Sequence, residues 1–465
     1  MTPAPVARLM ACLFSETTQR TCNLLDAGAG VGALSCAFLD RWASHDGFAF
    51  QEAHVEAFEI DNALRAHLES TLAGYSVRLP MTCRVCSGDF IWEAAKRNLR
   101  GSRPFSHAIL NPPYKKIHSA SEHRLILRRL GIETVNLYSA FVALSLSLMQ
   151  PGGELVAIIP RSFCNGPYYR PFREFLLANA AIRHMHLFAS RSKAFRDDDV
   201  LQENIIIMLE RDGVQGKVTV TNSTDDSLTD LRAAEHPFDR IVFPHDPECF
   251  IHVPTSLEQD ALDNLSDAIR FNLGDIGVEV STGPVVDFRL EEHIKQIPTK
   301  GAVPLLYPGH FSDGATRWPK DGMKRGNAIA LTPATKKWLY PNGFYTVTRR
   351  FSTKEERRRI VASIVNPHVF PGASMLGFEN HLNVFHKDKR GLPEDLAHGL
   401  AAYLNTTAVD GHFRRFNGHT QVNATDLRLM KYPSRAALIA LGKWARAQRE
   451  LTQTMLDQKL HKLAE

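Results

Sequence analysis

The first 210 residues of this chain contain five short apolar runs, and these runs limit the folds that the chain can adopt. They begin at Leu24, His54, His107, Gly153 and Asn204, and amphipathic segments separate them. Each run has about the length of a single buried strand. Apolar strands that alternate with helices predict a mostly parallel sheet with helices on both faces. We therefore expect an α/β fold from about residue 23 to residue 211.

The chain is too long for one ordinary hydrophobic core. It has 465 residues, and single cores stop growing beyond roughly 250–300 residues. The periodicity weakens beyond Gly213, residues 219–254 have the pattern of a connector with short strands, and the last helix is expected from about Ser434 to the end. We predict an α/β domain over residues 1–215 and a mixed α/β domain with C-terminal helices over residues 216–465.

Composition excludes several classes of protein. The chain is 44% hydrophobic and 23% charged, as in ordinary globular proteins. Its longest apolar stretches are shorter than the roughly 18 residues of a membrane span, and its amino terminus has no apolar core of a secretory signal. The seven cysteines are scattered, and Cys83 and Cys86 lack a second pair of ligands that would complete a zinc site. We expect a cytoplasmic protein with no metal and no membrane contact.

Charge permits a polyanionic partner without requiring one. The formal net charge is +5, which is only mildly basic. Basic clusters at Arg349-Arg350 and at Lys354–Arg359 lie beyond position 340. A cluster of this kind is compatible with a nucleic-acid surface and equally with a solvated helix face.

A glycine-rich turn follows the first apolar run. Residues 24–34 consist of an apolar stretch, then Asp26-Ala27-Gly28-Ala29-Gly30, then the start of an amphipathic segment. Such a turn lets the backbone approach a ligand at the carboxyl edge of a parallel sheet. Nucleotide-binding folds of several kinds share it. The aspartate before the first glycine, and the lack of a P-loop lysine, favour a ligand without a pyrophosphate.

Two acidic positions follow the turn in the order that a nucleoside site requires. Glu59, in Phe58-Glu59-Ile60-Asp61, follows the second apolar run, where its carboxylate can hold a ribose diol. In Ser87-Gly88-Asp89-Phe90, Asp89 can accept hydrogen bonds from an adenine amine, and the Phe90 ring can pack on a purine. Either segment alone is typical of a surface turn, and their order after the glycines indicates a ligand.

The most informative segment is Asn111-Pro112-Pro113-Tyr114, which follows an apolar strand. The prolines fix the backbone and remove two amide donors. The Asn111 side-chain oxygen and the Pro112 carbonyl can then accept both hydrogens of a flat exocyclic amine. This pairing makes the nitrogen lone pair available for methyl transfer without an ionised general base, while Tyr114 offers a ring for stacking on the substrate.

Together these segments resemble the gamma-class adenine-specific DNA methyltransferases of type II restriction–modification systems, over about residues 2–210. The resemblance implies a Rossmann-like S-adenosylmethionine-dependent methyltransferase domain followed by a target-recognition domain. It also implies that Thr2-Pro3 and Ala7 border the methionine end of the cofactor. The implied cofactor residues are Thr2, Pro3, Ala7, Asp26, Ala27, Gly28, Gly30, Glu59, Ile60, Asp89, Phe90 and Asn111, and the implied catalytic residues are Asn111, Pro112, Pro113, Tyr114 and Tyr169.

Tyr169 is assigned from its position relative to a predicted helix. The family has an aromatic residue ahead of the helix that follows Ile158-Ile159-Pro160, on the opposite face of the flipped base. Tyr169 is the matching residue here and Tyr168 the fallback. Extruding a base from a duplex costs a few kcal/mol, and two stacking faces offset that cost.

The resemblance assigns sequence recognition to the second half of the chain. Segments of suitable composition are Ser281–Pro284, Glu379–Asn383 and Arg414–Asn423, which carry side chains able to contact phosphates and base edges. We expect a monomer on duplex DNA and a separate cognate restriction endonuclease.

Three alternatives stay open. Methyltransferases of ribosomal RNA or of a protein glutamine use the same tetrapeptide, but the long region after Gly213 disfavours them. A combined restriction and modification enzyme lacks a nuclease motif here and has no room for one before Thr2. A DNA-binding module without activity leaves Asn111 and Glu59 unexplained. Adenine is preferred over cytosine only because Asn, and not Ser, precedes the two prolines.

Overall fold

The computed structural model describes residues 2–188, 203–244, 246–254, 268–352, 356–416 and 421–462. The chain forms two compact units, Met1–Leu257 and Glu258–Glu465. The predicted boundary between residues 215 and 216 falls inside the first unit, because two strands beyond it extend the first sheet. No helix in the described part of the chain is long and apolar enough to cross a membrane. Across the same residues, no three His, Cys, Asp or Glu side chains come together as metal ligands.

One nine-stranded sheet organises the first unit. Its strands are β1 (Thr21–Ala27), β2 (Glu52–Phe58), β3 (Met81–Cys86), β4 (Phe105–Leu110), β5 (Met149–Pro160), β6 (Ala180–Phe188), β7 (Asn204–Arg211), β8 (Val218–Ser223) and β9 (Arg232–His236). Its helices are α1 (Ala4–Cys12), α2 (Ala33–Ala43), α3 (Asn62–Ser76), α4 (Phe90–Leu99), α5 (Glu122–Arg129), α6 (Leu137–Ser147) and α7 (Arg170–Asn179).

The strand order is β3-β2-β1-β4-β5-β7-β6-β8-β9. The five neighbouring strands β3, β2, β1, β4 and β5 run parallel to one another, and β7 lies antiparallel between β5 and β6. The predicted mostly parallel, Rossmann-like sheet is therefore confirmed. The segment predicted as a connector contributes β8, which pairs in parallel with β6, and β9 at the edge.

Alternate residues along each central strand face opposite cores, as expected for strands buried on both faces. One core packs Leu25 and Leu110 of the sheet against helices α4 to α7. The other packs Leu24 and Ile109 against α1, α2 and α3. The sheet is thus the middle of three layers, and the helices pack on its two faces and not on the edge where the parallel strands end.

Strand register aligns the ends of four strands at that edge. Ala27 at the end of β1 pairs with Phe58 at the end of β2, which pairs with Cys86 at the end of β3. On the other side of β1, Leu25 pairs with Ala108 of β4, so Leu110 ends level with Ala27. The order reverses between β1 and β4, the point where open α/β sheets bind ligands. The residues that follow these strands therefore meet at one place.

The described residues of the second unit form three small sheets. Its strands are β10 (Glu279–Thr282), β11 (Ile294–Lys295), β12 (Ala302–Leu306), β13 (Phe311–Ser312), β14 (Ala315–Thr316), β15 (Ala328–Ala330), β16 (Leu339–Pro341), β17 (Tyr345–Arg349), β18 (Ala362–Val365), β19 (Met375–Phe378) and β20 (Leu382–His386). They form the sheets β10-β20-β17-β18, β11-β15-β12-β19-β16 and β13-β14. Its helices are α8 (Pro333–Lys336), α9 (Glu394–Leu404), α10 (Thr407–Phe416), α11 (Ala424–Leu429), α12 (Arg435–Arg446) and α13 (Gln453–His461).

Glycines hold two of these helices in close contact. A Cβ atom at Gly399 of α9 would lie 1.8 Å from the Leu438 carbonyl oxygen, and one at Gly442 of α12 would lie 1.7 Å from that of Asp395. The single last helix predicted from Ser434 is wrong in its extent. The Ser434 side chain does cap α12, but Thr452 caps a separate α13, because its hydroxyl accepts from the Met455 amide.

Candidate active site

The glycine-rich turn joins β1 to α2 and is tied to the neighbouring strand. The amides of Gly28 and Ala29 donate to the Phe58 carbonyl at 3.0 and 2.9 Å. Gly28 and Gly32 have φ of 81° and 89°, which favours glycine. At Gly32, a Cβ atom would also lie 2.7 Å from Leu68. The turn therefore depends on its glycines for both conformation and space.

Asp26, at the start of this turn, is fully buried. The Ser35 hydroxyl donates to its Oδ2 atom at 2.6 Å, while Oδ1 is buried with no hydrogen-bond partner among the described residues. Burial raises the pKa of the Asp26 carboxyl to about 7. This side chain therefore lies below the surface that a ligand would reach, and its second oxygen is a polar group still to be satisfied.

Glu59 is held in one orientation by the backbone. Its Oε2 atom accepts from the Gly30 amide at 2.9 Å, and its Oε1 atom accepts from the Asp61 amide at 2.8 Å. Each carboxylate oxygen has a further lone pair. The pair of oxygens can thus accept from two vicinal hydroxyls while the turn keeps its shape. Ile60, the next residue, is 70% exposed.

Asp89 and Phe90 begin α4 beside Glu59. Asp89 caps the helix, because its Oδ1 accepts from the amides of Ile91 and Trp92, and its Oδ2 lies 3.0 Å from Nε2 of His123. The Phe90 ring is buried and lies 4.9 Å from that of Phe141 on α6. Helix packing brings His123 and Phe141 to this site, and no local sequence motif marks either residue.

A cavity of about 530 Å³ lies over this edge of the sheet, within the roughly 300–1,000 Å³ range of small-molecule sites. Seven predicted residues line it: Gly28, Glu59, Ile60, Asp89, Phe90, Asn111 and Pro113. Eleven others line it that were not predicted: Phe58, Gly88, Ile91, Lys115, Lys116, Ile117, His118, Ser121, His123, Leu137 and Phe141. Lys115 and Lys116 could have been found from the sequence, because they directly follow the tetrapeptide.

Several predicted cofactor residues do not line this cavity. Pro3 precedes α1 and its carbonyl accepts from the Ala7 amide at 2.9 Å, and Ala7 is buried. Ala27 is buried at the end of β1. The amide of Gly30 fixes Glu59, as described above.

The side chain of Asn111 is oriented from both ends. Its Nδ2 atom donates to the Thr2 hydroxyl at 2.9 Å, and its Oδ1 atom accepts from the Tyr114 hydroxyl at 3.1 Å. An amide oxygen has two lone pairs, so Oδ1 can accept a second hydrogen bond from a ligand. Pro112 is buried and Pro113 lines the cavity. The tetrapeptide thus presents an amide whose rotation is fixed.

The two predicted stacking rings both contact a third tyrosine. Tyr138, which is buried, lies 6.2 Å from the Tyr114 ring and 5.8 Å from the Tyr169 ring. Asn136 contacts the Tyr169 hydroxyl through its Nδ2 atom. Tyr168, the fallback, is 75% exposed. The structure places Tyr169 in an aromatic row that continues from the tetrapeptide, and neither Tyr138 nor Asn136 lies in a motif that the sequence analysis identified.

Part of the chain that carries this geometry matches a known family. Residues 82–195 match the family model described as Eco57I restriction-modification methylase. The chain is 50% identical to the type II methyltransferase M.BsuBI of Bacillus subtilis, over 99% of this chain and 93% of that protein. It is 41% identical to the type II methyltransferase M.PstI of Providencia stuartii, over 94% of this chain and 87% of that protein.

The chain belongs to the type II methyltransferases of restriction–modification systems. As a member of that family it is a DNA methyltransferase, and the resemblance noted from the sequence is confirmed at this level. Among solved structures, a DrdV–DNA complex studied by cryo-electron microscopy is similar in fold, with a TM-score of 0.51 at 12% identity, over 96% of this chain and 56% of that chain. The similarity to the curated methyltransferases extends through both compact units.

Proposed function

We propose that this methyltransferase transfers a methyl group from S-adenosylmethionine to the exocyclic N6 atom of an adenine in duplex DNA, at a specific sequence. The observation that carries the proposal is the Asn111 amide, fixed by Thr2 and Tyr114 at the edge of the 530 Å³ cavity. A planar amide beside two prolines suits a planar amine, which a general base cannot easily activate.

The cavity fits the cofactor in its chemistry. Glu59 would hold the ribose hydroxyls, and Asp89 would accept from the adenine amine, exchanging its contact with His123 for one with the ligand. Ile60 and Phe90 offer apolar surface for the purine. S-adenosylmethionine would supply an electrophilic methyl group on a sulfonium centre, with S-adenosylhomocysteine as the leaving group, and the methylated amine would release one proton.

Asn111 and the Pro112 carbonyl would accept the two hydrogens of the target amine. Acceptors on both hydrogens favour a pyramidal nitrogen whose lone pair points at the methyl group. Because the acceptors are in place before the substrate arrives, little reorganisation is needed during the reaction. Thr2 and Tyr114 contribute by holding the Asn111 amide in that orientation.

A base inside a duplex cannot reach this edge, so the target must be flipped out of the stack. Tyr114 and Tyr169 would supply the aromatic faces that offset the lost stacking, with Tyr138 supporting both rings. Base–aromatic stacking is worth about 1–3 kcal/mol per base. The biological role that follows is protection of host DNA from a separate cognate endonuclease, by a monomer bound to its site.

The test is a methyl-transfer assay with three kinds of acceptor. The purified full chain is incubated with methyl-labelled S-adenosylmethionine and, separately, with duplex DNA of varied sequence, total RNA or a cell extract. Label recovered as 6-methyladenine in duplex DNA is the expected result. Label only in RNA or in protein would refute the proposal, and label recovered as a methylated cytosine would correct the target base.

Asn111→Ala is the diagnostic variant and Asn98→Ala its matched control, because Asn98 lies on α4 and does not line the cavity. Loss of one preorganised hydrogen-bonding group typically costs about 10²–10³ in kcat. We expect that loss of kcat for Asn111→Ala, whereas Asn98→Ala should keep the wild-type kcat. Full activity in Asn111→Ala would remove the amide from the mechanism.

A further inference from the structure

A second cavity, of about 400 Å³, lies wholly within the second unit. Its charged and imidazole side chains are those of Arg325, Arg349, Glu379 and His381, and the Phe351 ring forms part of its wall. Arg349 ends β17, and Glu379 directly follows β19. Glu379–Asn383 is one of the segments whose composition suggested recognition, but neither arginine lies in any of those segments.

Each arginine in this cleft is paired with a carboxylate. Arg325 contacts Asp287 through Nη1, and Nη2 of Arg349 lies 2.6 Å from Oε2 of Glu356. The Arg325 side chain is nevertheless 51% exposed and that of Arg349 is 36% exposed. A guanidinium has five donors in a rigid fork. One carboxylate therefore orients each fork and leaves donors for a ligand.

The other polar group is a fixed imidazole. Glu379 is fully buried, and its two oxygens contact the backbone amide of His381, at 2.9 Å, and Nδ1 of the same ring. Such a contact sets the orientation and the tautomer of the ring. The Phe351 ring, 43% exposed, lies 4.9 Å from that imidazole. The cleft thus combines oriented donors with an aromatic surface.

The charges in the cleft favour a neutral partner over an anion. The two guanidinium groups are balanced by Asp287 and Glu356, and Glu379 adds a buried carboxylate. A phosphate would therefore meet compensated cations and a nearby negative charge. A base edge is neutral and needs directed donors, as when an arginine fork donates to O6 and N7 of guanine in the major groove.

We propose that this cleft contacts base edges in the recognition sequence of duplex DNA, with Arg325 and Arg349 as specificity-determining donors, each to a guanine. The proposal rests on the DNA substrate proposed above and adds the residues and the chemistry of sequence selection. It assigns Arg349, a member of the basic cluster Arg349-Arg350, to a base edge and not to a phosphate.

The experiment measures two quantities for each protein, the sequence preference of methylation and the dependence of DNA affinity on salt concentration. The full chain methylates a duplex library with a randomised core, and sequencing of methylated products gives the wild-type preference at each position. Arg325→Ala, Arg349→Ala and Arg349→Lys are compared with Arg317→Ala. Arg317 is a matched control, because it is 67% exposed, pairs with Asp313 and lies in the same unit outside the cleft.

We expect each cleft variant to relax the preference for guanine at one position by about 5- to 150-fold, the range for a lost bidentate base contact. Arg349→Lys should relax it as Arg349→Ala does, because lysine keeps the charge and loses the fork. In each cleft variant, the slope of DNA affinity against salt concentration should equal that of the wild type. Arg317→Ala should keep the wild-type preference.

Two results would overturn the proposal. One is an unchanged preference in Arg325→Ala and in Arg349→Lys, measured on protein that melts as wild type does and binds S-adenosylmethionine normally. The other is a uniform loss of affinity across sequences with a salt slope lower by about one, which is the behaviour of a phosphate contact. Absence of any DNA methylation by the wild type would instead refute the proposed substrate, and this inference with it.

Discussion

The hydrogen bond between Thr2 and Asn111 gives the sharpest test of how the tetrapeptide works. The Thr2 hydroxyl accepts from Nδ2 of Asn111 at 2.9 Å across 109 residues of sequence. Thr2→Val keeps the shape of the side chain and removes only that acceptor. The Tyr114 hydroxyl still donates to Oδ1, so the variant loosens the amide without displacing it.

The magnitude follows from the bond that is lost. A neutral hydrogen bond in a partly buried site contributes about 0.5–1.5 kcal/mol, and 1.36 kcal/mol corresponds to a tenfold change in rate. If Thr2 acts by orienting Asn111, kcat should fall roughly 2- to 12-fold. The dissociation constant of S-adenosylmethionine should stay close to the wild-type value, because Glu59 and Asp89 are untouched.

The assay is single-turnover methylation of duplex DNA at saturating cofactor, with cofactor binding measured separately by calorimetry. Thr2→Ser should restore the rate, since serine keeps the hydroxyl. Thr71→Val is the matched control, because among the described residues the Thr71 hydroxyl donates to the His67 carbonyl within α3, far from the tetrapeptide in sequence. A large rise in the cofactor dissociation constant with an unchanged kcat would refute this reasoning and would make Thr2 a cofactor ligand instead.

Two further predictions concern stability. Gly442→Ala should destabilise the second unit by about 1–3 kcal/mol or more, because its Cβ would lie 1.7 Å from the Asp395 carbonyl oxygen. The control is Gly411→Ala within α10, which should be neutral or stabilising because nothing lies within 4 Å of its Cβ. Equal melting temperatures for the two variants would contradict the close contact between α9 and α12. Burial raises the pKa of Asp26 from 3.8 to about 7, so the folded state binds the extra proton and the free energy of unfolding should fall as the pH rises from about 4 to 7, then level off. Asp26→Asn should remove this pH dependence, which amounts to roughly 4 kcal/mol between low pH and pH 8. The free energy of unfolding is measured with urea at pH 5 and pH 8 for both proteins. An equal change with pH in the wild type and in Asp26→Asn would exclude this carboxyl as the source.

Much of the first unit follows from the sequence because its signals are local. Five apolar runs predict β1, β2, β4, β5 and β7, and Gly28, Glu59 and Asn111 lie where three of those strands end, whereas Asp89 follows β3, which no apolar run predicted. Parallel strands bring their carboxyl ends to one edge whatever the details of packing. The mostly parallel part of the sheet and seven residues that line the cavity could therefore be predicted from the sequence, whereas β3, β6 and the antiparallel direction of β7 could not.

Other features depend on contacts between distant parts of the chain. The approach of His123 to Asp89, at 3.0 Å, depends on how α5 packs beside α4. The pairing of β8 with β6 moves the end of the first unit from residue 215 to Leu257. The break between α12 and α13 is set by a cap at Thr452, within a stretch whose periodicity predicted one helix.

The second unit shows the same division more strongly. Its sequence indicated polar segments suited to recognition, and part of one of them, residues 417–420, lies outside the described residues. The cleft itself combines Arg325, Arg349 and Glu379, which are far apart in the chain and carry no shared motif. Strand periodicity and turn residues are properties of neighbours along the chain, so the sequence alone determined the sheet edge and its chemistry. Which distant side chains share a cavity is set by strand order, register and helix packing, and only the tertiary structure decided that.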